Sequence, residues 1–265
     1  MNKLLIATTA AVALATVGTA GAADLPMKAP PMVAAAPVYS WTGCWVSGGV
    51  GYGMWNQDHF TETDPGHVAF SSTTTDGGRG WLGRVGAGCD YQFSSNWLIG
   101  VFGDYDWMSL KGSNQPQGVT FAGATTSGAE KESAAWAIGA RLGYSPLAGL
   151  LTYVNGGWTQ TRFDRIDLFT TNLPQVNTFT FFPQTTYRGW FIGGGTEYAM
   201  NWFPVRGLFW KTEYRYAEFR AEDLSATFDN GVPVGFAENS KKFTQTVTTS
   251  LVWRFNFGGP VVARY

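Results

Sequence analysis

Hydrophobic and polar positions alternate with a period of two along most of the chain after residue 40. In the segment 208–219, LFWKTEYRYAEF, one row of side chains is apolar or aromatic and the other carries Lys211, Glu213 and Arg215. Because successive side chains of a strand point to opposite faces, this alternation predicts a strand with one apolar and one ionic face. A row rich in Trp and Tyr opposite a row of mixed charge is typical of a membrane-spanning strand with lipid outside.

The same alternation predicts eight strands, at about 41–55, 81–93, 97–107, 133–144, 150–163, 185–199, 208–219 and 243–257. The spacers after the second, fourth and sixth strands are short, whereas the other four are long and polar, at about 56–80, 110–132, 164–184 and 220–242. Outer-membrane barrels alternate tight periplasmic turns with long outer loops in this way. The sequence therefore predicts an all-β fold, an eight-stranded antiparallel up-and-down transmembrane β-barrel with four long extracellular loops. Neither row of the fifth strand is cleanly apolar, and we expect Leu151 and Tyr153 to face outward.

Aromatic side chains of the outward rows concentrate near the strand ends. Amphipathic rings favour the two interfaces between a membrane and water, so these residues predict an aromatic girdle. Its members are Trp81, Tyr91, Phe93, Trp97, Trp107, Tyr144, Trp190, Tyr198, Trp210, Tyr214, Trp253, Phe255 and Phe257.

The inward rows collect basic and acidic residues in equal number: Arg84, Arg141, Lys211, Arg215 and Arg254 against Asp90, Asp104, Asp106, Glu197 and Glu213. An unpaired ion inside an apolar wall is costly, so this balance predicts an interior lattice of ion pairs. Side chains can just fill a barrel of eight strands. We therefore expect a plugged interior, and the alternative is a gated ion path through the same residues.

Composition and charge narrow the class of protein. Charged residues make up 14% of the 265 residues, below the usual ~25% of a soluble domain, and the net charge of -1 excludes nucleic acid as a partner. Residues 1–22 have the pattern of a secretory signal peptide. We expect a Pro/Ala-rich periplasmic linker at 23–40, the barrel at 41–257 and a C-terminal tail at 258–265. Together these features predict an integral protein of the bacterial outer membrane with its loops at the cell surface.

Few residues suggest further chemistry. His59 and His67 both fall in the first predicted loop with no Cys or third His nearby, so we expect solvated side chains rather than haem or metal ligands. Cys44 and Cys89 lie on neighbouring predicted strands, and they either form a disulfide or face lipid as two small apolar residues. Lys241 and Lys242 are expected just outside the outer rim, either solvated or in contact with lipid phosphate. We predict no catalytic, cofactor or metal site, and no enzymatic activity.

Five segments carry a family likeness: ADLPMKAP, WTGCWVSGGVGYG, GWFIGGGTEYAM, KTEYRYAEF and LVWRFNFGGPVVARY. Together they resemble the small porin-like outer-membrane surface proteins of alphaproteobacteria, which are related to opacity proteins and to the barrel domain of outer membrane protein A. The resemblance implies a structural or surface role, in envelope integrity or as a surface antigen, or low-conductance passage of small solutes. As partners we expect outer-membrane lipid, both lipopolysaccharide and phospholipid, and the barrel-assembly machinery during biogenesis. Loop-mediated binding of haem or a host surface is the alternative, followed by a lipid-modifying enzyme.

Overall fold

The computed structural model describes residues 40–172 and 174–255. The predicted signal peptide, nearly all of the predicted linker, Phe257 and the C-terminal tail lie outside these residues. Within those ranges there are twelve strands, with bounds β1 Gly43–Thr63, β2 Thr74–Gln92, β3 Trp97–Asn114, β4 Thr120–Phe121, β5 Ala124–Leu147, β6 Leu150–Phe163, β7 Ile166–Thr170, β8 Asn177–Phe182, β9 Thr185–Ala199, β10 Leu208–Phe219, β11 Glu222–Phe228 and β12 Pro233–Phe255. Over the described ranges, no helix has the length and apolar character needed to cross a membrane.

The long strands form a closed antiparallel sheet. Their order is β1-β2-β3-β5-β6-β9-β10-β12, and β1 pairs with β12 along almost its whole length, from Cys44 with Phe255 to Thr63 with Phe236. Closure leaves the ring without a free edge, so its backbone groups are hydrogen-bonded within the sheet. The predicted all-β antiparallel barrel class is confirmed.

The segments predicted as long outer loops are largely strand. β5 has 24 residues and β12 has 23, whereas about 9–11 residues suffice to cross a membrane at the usual tilt. The short strands β4, β7, β8 and β11 account for much of the remaining loop sequence. These extensions carry polar side chains on both faces, so the contrast between an apolar and an ionic row disappears although the strand continues.

Exposed apolar side chains define the lipid-facing band. Val101 is 65% exposed and Val154 is 61% exposed, and the band ends at one rim with Trp81 and Trp107, which are 69% and 57% exposed. Beyond that rim the outward side chains of β2 and β3 become Arg79 and Lys111. We take the membrane-spanning segments as 44–54, 81–91, 97–107, 136–144, 150–158, 190–198, 208–216 and 245–255, and call the strand residues beyond the Trp-bearing rim the extracellular extension.

The expected facing of the fifth predicted strand, which is β6, is wrong. Leu151 is fully buried and Tyr153 is 5% exposed, so both point into the barrel. Tyr153 faces inward because its hydroxyl donates a hydrogen bond to Glu213, at 2.8 Å. The lipid-facing row of β6 carries Val154 and Trp158 instead.

Candidate functional site

Four interior charges form a ring near the periplasmic end. The Arg141 guanidinium donates two hydrogen bonds to Asp90, at 2.8 and 2.5 Å, and one to Glu197, at 2.7 Å. Arg254 donates to the same two carboxylates, at 2.8 Å to Asp90 and 2.5 Å to Glu197. All four side chains are at most 2% exposed. Each carboxylate therefore bridges both arginines, which is how charges removed from water are best compensated.

A glycine makes room for this ring. Gly100 on β3 is the cross-strand partner of both Asp90 and Arg141, so their side chains meet directly over it. A Cβ built on Gly100 would lie 2.0 Å from Asp90 Oδ1 and 2.9 Å from the Cys89 carbonyl oxygen. A side chain at this position would push the carboxylate away from Arg141.

Replacing Gly100 with Ala is expected to destabilise the barrel by about 2 kcal/mol or more, because overpacking costs ~1–3 kcal/mol and the ion pair is displaced as well. The measurement is the temperature at which the folded barrel converts to the unfolded band on a detergent gel. Gly103→Ala is the matched control on the same strand, since a Cβ there would meet its nearest atoms at 3.5 Å. Equal midpoints for the two variants would contradict the role assigned to Gly100.

The other six interior charges form a second layer around Glu213. Arg84 binds Asp106 through two hydrogen bonds of 2.7 Å, and Arg215 binds Asp104 at 2.9 and 2.7 Å. Both arginines also donate to Glu213 Oε1, at 2.9 and 2.8 Å. Its other oxygen accepts from Tyr153 and from Asn155 Nδ2, and Lys211 Nζ lies 4.0 Å away. The ten predicted interior charges thus divide into two networks, and Tyr153 and Asn155 join the second although the alternation did not single them out.

Apolar side chains and tight packing close the remaining space. Trp41, Leu98, Leu151, Phe209 and Val252 are at most 1% exposed and belong to the interior cluster at the periplasmic end. In the second layer, a pocket beside Arg84, Asp106 and Arg215 has a volume of about 20 Å³. That is room for about one water molecule. The described interior is therefore packed with side chains rather than open.

The extracellular extension has its own charged interior, and the expectation of a solvated His59 is wrong. His59 is fully buried: its Nε2 lies 3.2 Å from Asp76 and its Nδ1 lies 3.2 Å from Glu238. Burial by itself lowers the pKa of His59, but the hydrogen bonds and charges of Asp76 and Glu238 outweigh it and raise the pKa to about 9. At neutral pH His59 is therefore charged, which makes it unsuited to act as a general base. His59 lies inside the barrel because β1 continues to Thr63, beyond the end that the alternation of hydrophobic and polar positions predicted.

Lys242 is buried as well, so the expected position at a lipid or solvent surface is wrong for this residue. Its ammonium forms an ion pair with the buried carboxylate of Glu130 and lies 4.4 Å from the centre of the Phe163 ring. Its neighbour Lys241 faces outward and pairs with Glu218 at 2.7 Å. Adjacent residues of one strand thus have opposite environments, as the pleat requires.

His67 and the two cysteines remain. His67 is mostly exposed, and its Nδ1 lies 2.6 Å from Glu62 Oε1 and 3.8 Å from Asp223 Oδ2. These three side chains are close enough to share a metal ion, but a hydrogen bond between His67 and Glu62 accounts for the short contact.

Cys44 and Cys89 are direct cross-strand partners and form a disulfide.

The predicted girdle residues lie on the outside of the wall. Those in the described part of the chain are exposed, apart from Phe255, which is partly exposed: Trp81, Tyr91, Phe93, Trp97, Trp107, Tyr144, Trp190, Tyr198, Trp210, Tyr214 and Trp253. Apolar and aromatic residues outside, with enclosed ions inside, define a transmembrane β-barrel of the outer-membrane type.

Two relatives of the chain agree with that class. The chain is 28% identical over 263 residues to the 31 kDa outer-membrane immunogenic proteins of Brucella melitensis and Brucella suis, an alignment that covers 96% of this chain and all of each relative. No protein-family model matches the chain. Solved structures similar to it include the outer membrane protein OprG from Pseudomonas aeruginosa, at 12% identity, 83% of this chain, 100% of that chain and a TM-score of 0.48. Another is the outer membrane protease OmpT from Escherichia coli, at 9% identity, 80% and 97% coverage and a TM-score of 0.42. The chain is an outer-membrane β-barrel protein, as the sequence predicted.

Proposed function

We propose that the protein is a non-conducting, non-enzymatic surface protein that presents its extracellular extension as an antigen on the outer membrane. The observation that carries this proposal is the interior: two ion networks join opposite walls of the barrel. Such networks leave no room for a permeant ion, and moving them aside would leave buried charges unpaired. The Brucella relatives, whose names describe them as immunogenic outer-membrane proteins, support the surface role.

The form of the extracellular extension supports the same proposal. Strand pairing between β1 and β12 continues to Thr63 and Phe236, well past the Trp-bearing rim. In its buried interior the side-chain amides of Gln57 and Asn114 both donate hydrogen bonds to Glu238 Oε1. A paired, internally packed surface keeps a fixed shape, and a fixed shape suits recognition by antibodies.

Recording from planar bilayers tests the proposal. We expect no steady open current from the reconstituted protein, while a 16-stranded porin reconstituted in the same way provides the positive control because its lumen holds water. Folding of the inserted protein is checked by its shifted mobility on a detergent gel. A steady conductance that scales with the amount of inserted protein would overturn the non-conducting assignment.

A further inference from the structure

Three cations of neighbouring strands stand in one row on the outer wall. Arg79 on β2 is the direct cross-strand partner of Lys111 on β3, and Lys111 is the direct partner of Lys131 on β5. Arg79 and Lys111 are exposed, and the Lys131 side chain is 38% exposed. We call these three residues the cationic row. Like charges placed directly opposite one another destabilise a sheet, so the row needs a compensating negative charge.

The protein supplies little of that charge. Lys131 lies 3.7 Å from Asp164, and within the described ranges no carboxylate forms an ion pair with Arg79 or Lys111. Two other exposed cations of the extracellular extension are compensated, in contrast: Arg165 contacts Asp229 at 2.6 Å, and Lys241 contacts Glu218 at 2.7 Å. The cationic row therefore carries a net positive charge that the surrounding side chains leave uncompensated.

The position of the row indicates where its counter-charge comes from. Arg79 lies two residues beyond Trp81, and Lys111 lies four residues beyond Trp107. Those rings mark the interface, so the row lies at the level of the headgroups of the outer leaflet. At the other rim, the connections 93–96 and 148–149 carry no charge and the connection 200–207 carries only Arg206.

The geometry points to the cationic row as a binding site for the phosphate groups of a lipid headgroup in the outer leaflet. Three strands set ~4.8 Å apart spread the cations over ~10 Å, which suits a headgroup that bears more than one phosphate. Arg79 can hold a phosphate with two hydrogen bonds, and the two lysines act as point charges. The acyl chains of the same lipid would lie along the apolar band below.

The test uses the full mature protein in detergent and three probes: bisphosphorylated lipid A, the same lipid A without its phosphates, and inorganic phosphate. The variant Arg79→Gln/Lys111→Gln/Lys131→Gln removes the row. The matched control, Arg165→Gln/Arg206→Gln/Lys241→Gln, also removes three cations, but Arg165 and Lys241 pair with carboxylates of the protein and Arg206 lies at the other rim. Gel mobility confirms that both variants are folded.

We expect the row variant to bind bisphosphorylated lipid A at least about tenfold more weakly than wild type, since each basic residue near a membrane surface contributes to anionic lipid binding. The control should change by less than about threefold, and binding of the dephosphorylated lipid should be unaffected. Equal weakening in both variants would mean general surface electrostatics and would overturn the site. Inorganic phosphate that displaces the lipid with equal affinity would assign the row to a soluble anion and would also overturn it.

Discussion

Replacing Glu213 with Ala is expected to lower the free energy of unfolding by about 3–5 kcal/mol, the range found when one partner of a buried ion pair is removed. Glu213 accepts hydrogen bonds from Arg84, Arg215, Tyr153 and Asn155. Without it, two buried guanidinium groups share only Asp104 and Asp106, and two neutral donors lose their acceptor. The cost arises from the charges left behind, because an isolated ion in an enclosed site has no water to solvate it.

The unfolding midpoint of the refolded barrel in detergent measures this effect. Glu218→Ala is the matched control on the same strand, because Glu218 faces outward and pairs with the exposed Lys241. We expect that change to cost no more than ~1 kcal/mol, as for other exposed ion pairs. If Glu213→Ala and Glu218→Ala shift the midpoint equally, the second interior network does not hold the barrel together.

The stability of the protein is expected to fall as the pH rises through about 9, where His59 loses its proton. The folded pKa lies above the unfolded value of 6.5, so the stabilisation is fully present below pH 6.5 and is lost as the pH passes through the folded pKa. A shift of this size corresponds to about 3 kcal/mol. The physical reason is that His59 must be protonated to balance the negative charges of its two neighbours, the buried carboxylate of Glu238 and the carboxylate of Asp76.

Unfolding midpoints measured from pH 6 to pH 10 test this expectation, and the readout is the difference between wild type and His59→Gln. The glutamine side chain cannot gain or lose a proton, so the variant should be less stable at pH 6 and should lose less stability by pH 10. His67→Gln is the control, since His67 is largely exposed and should leave the alkaline loss in place. A His59→Gln curve parallel to that of wild type would contradict the assignment.

The interior networks also explain why the strands hold one register. Arg84 is the direct cross-strand partner of Asp106. Asp90 and Arg141 lie on the two strands that flank β3, and both are cross-strand partners of Gly100. A slip of one residue would turn every side chain of a strand to the other face, placing ions in lipid and tryptophans in the interior. The ion networks and the lipid-facing rows therefore specify the same alignment.

Periodicity predicted the membrane-spanning part because lipid imposes a strong rule on each strand separately. In β10, Trp210 and Tyr214 face outward while Lys211, Glu213 and Arg215 are buried, as the alternation indicated. The rule failed for β6, where the inward row carries Leu151 and Tyr153 and so is as apolar as the outward row. Local pattern cannot separate two faces that differ little in polarity.

Beyond the Trp-bearing rim, the alternation of hydrophobic and polar positions did not predict which side chains are buried. No row of apolar side chains faces lipid opposite His59, Lys242 and Glu130. Their burial depends instead on strand pairing that continues between segments far apart in sequence. Which cation meets which carboxylate is likewise a matter of register around the ring: Asp104 binds Arg215, which lies 111 residues further along the chain.

The sequence by itself determined the class of fold, the membrane it enters, and the membership of the two faces in every membrane-spanning strand except β6, because each follows from the contact of single strands with hydrocarbon. Only the tertiary structure decided the pairing of the interior charges, the disulfide between Cys44 and Cys89, and the extent of the wall above the membrane. Those features depend on distances between side chains on different strands, and these distances are set only when the ring of strands closes.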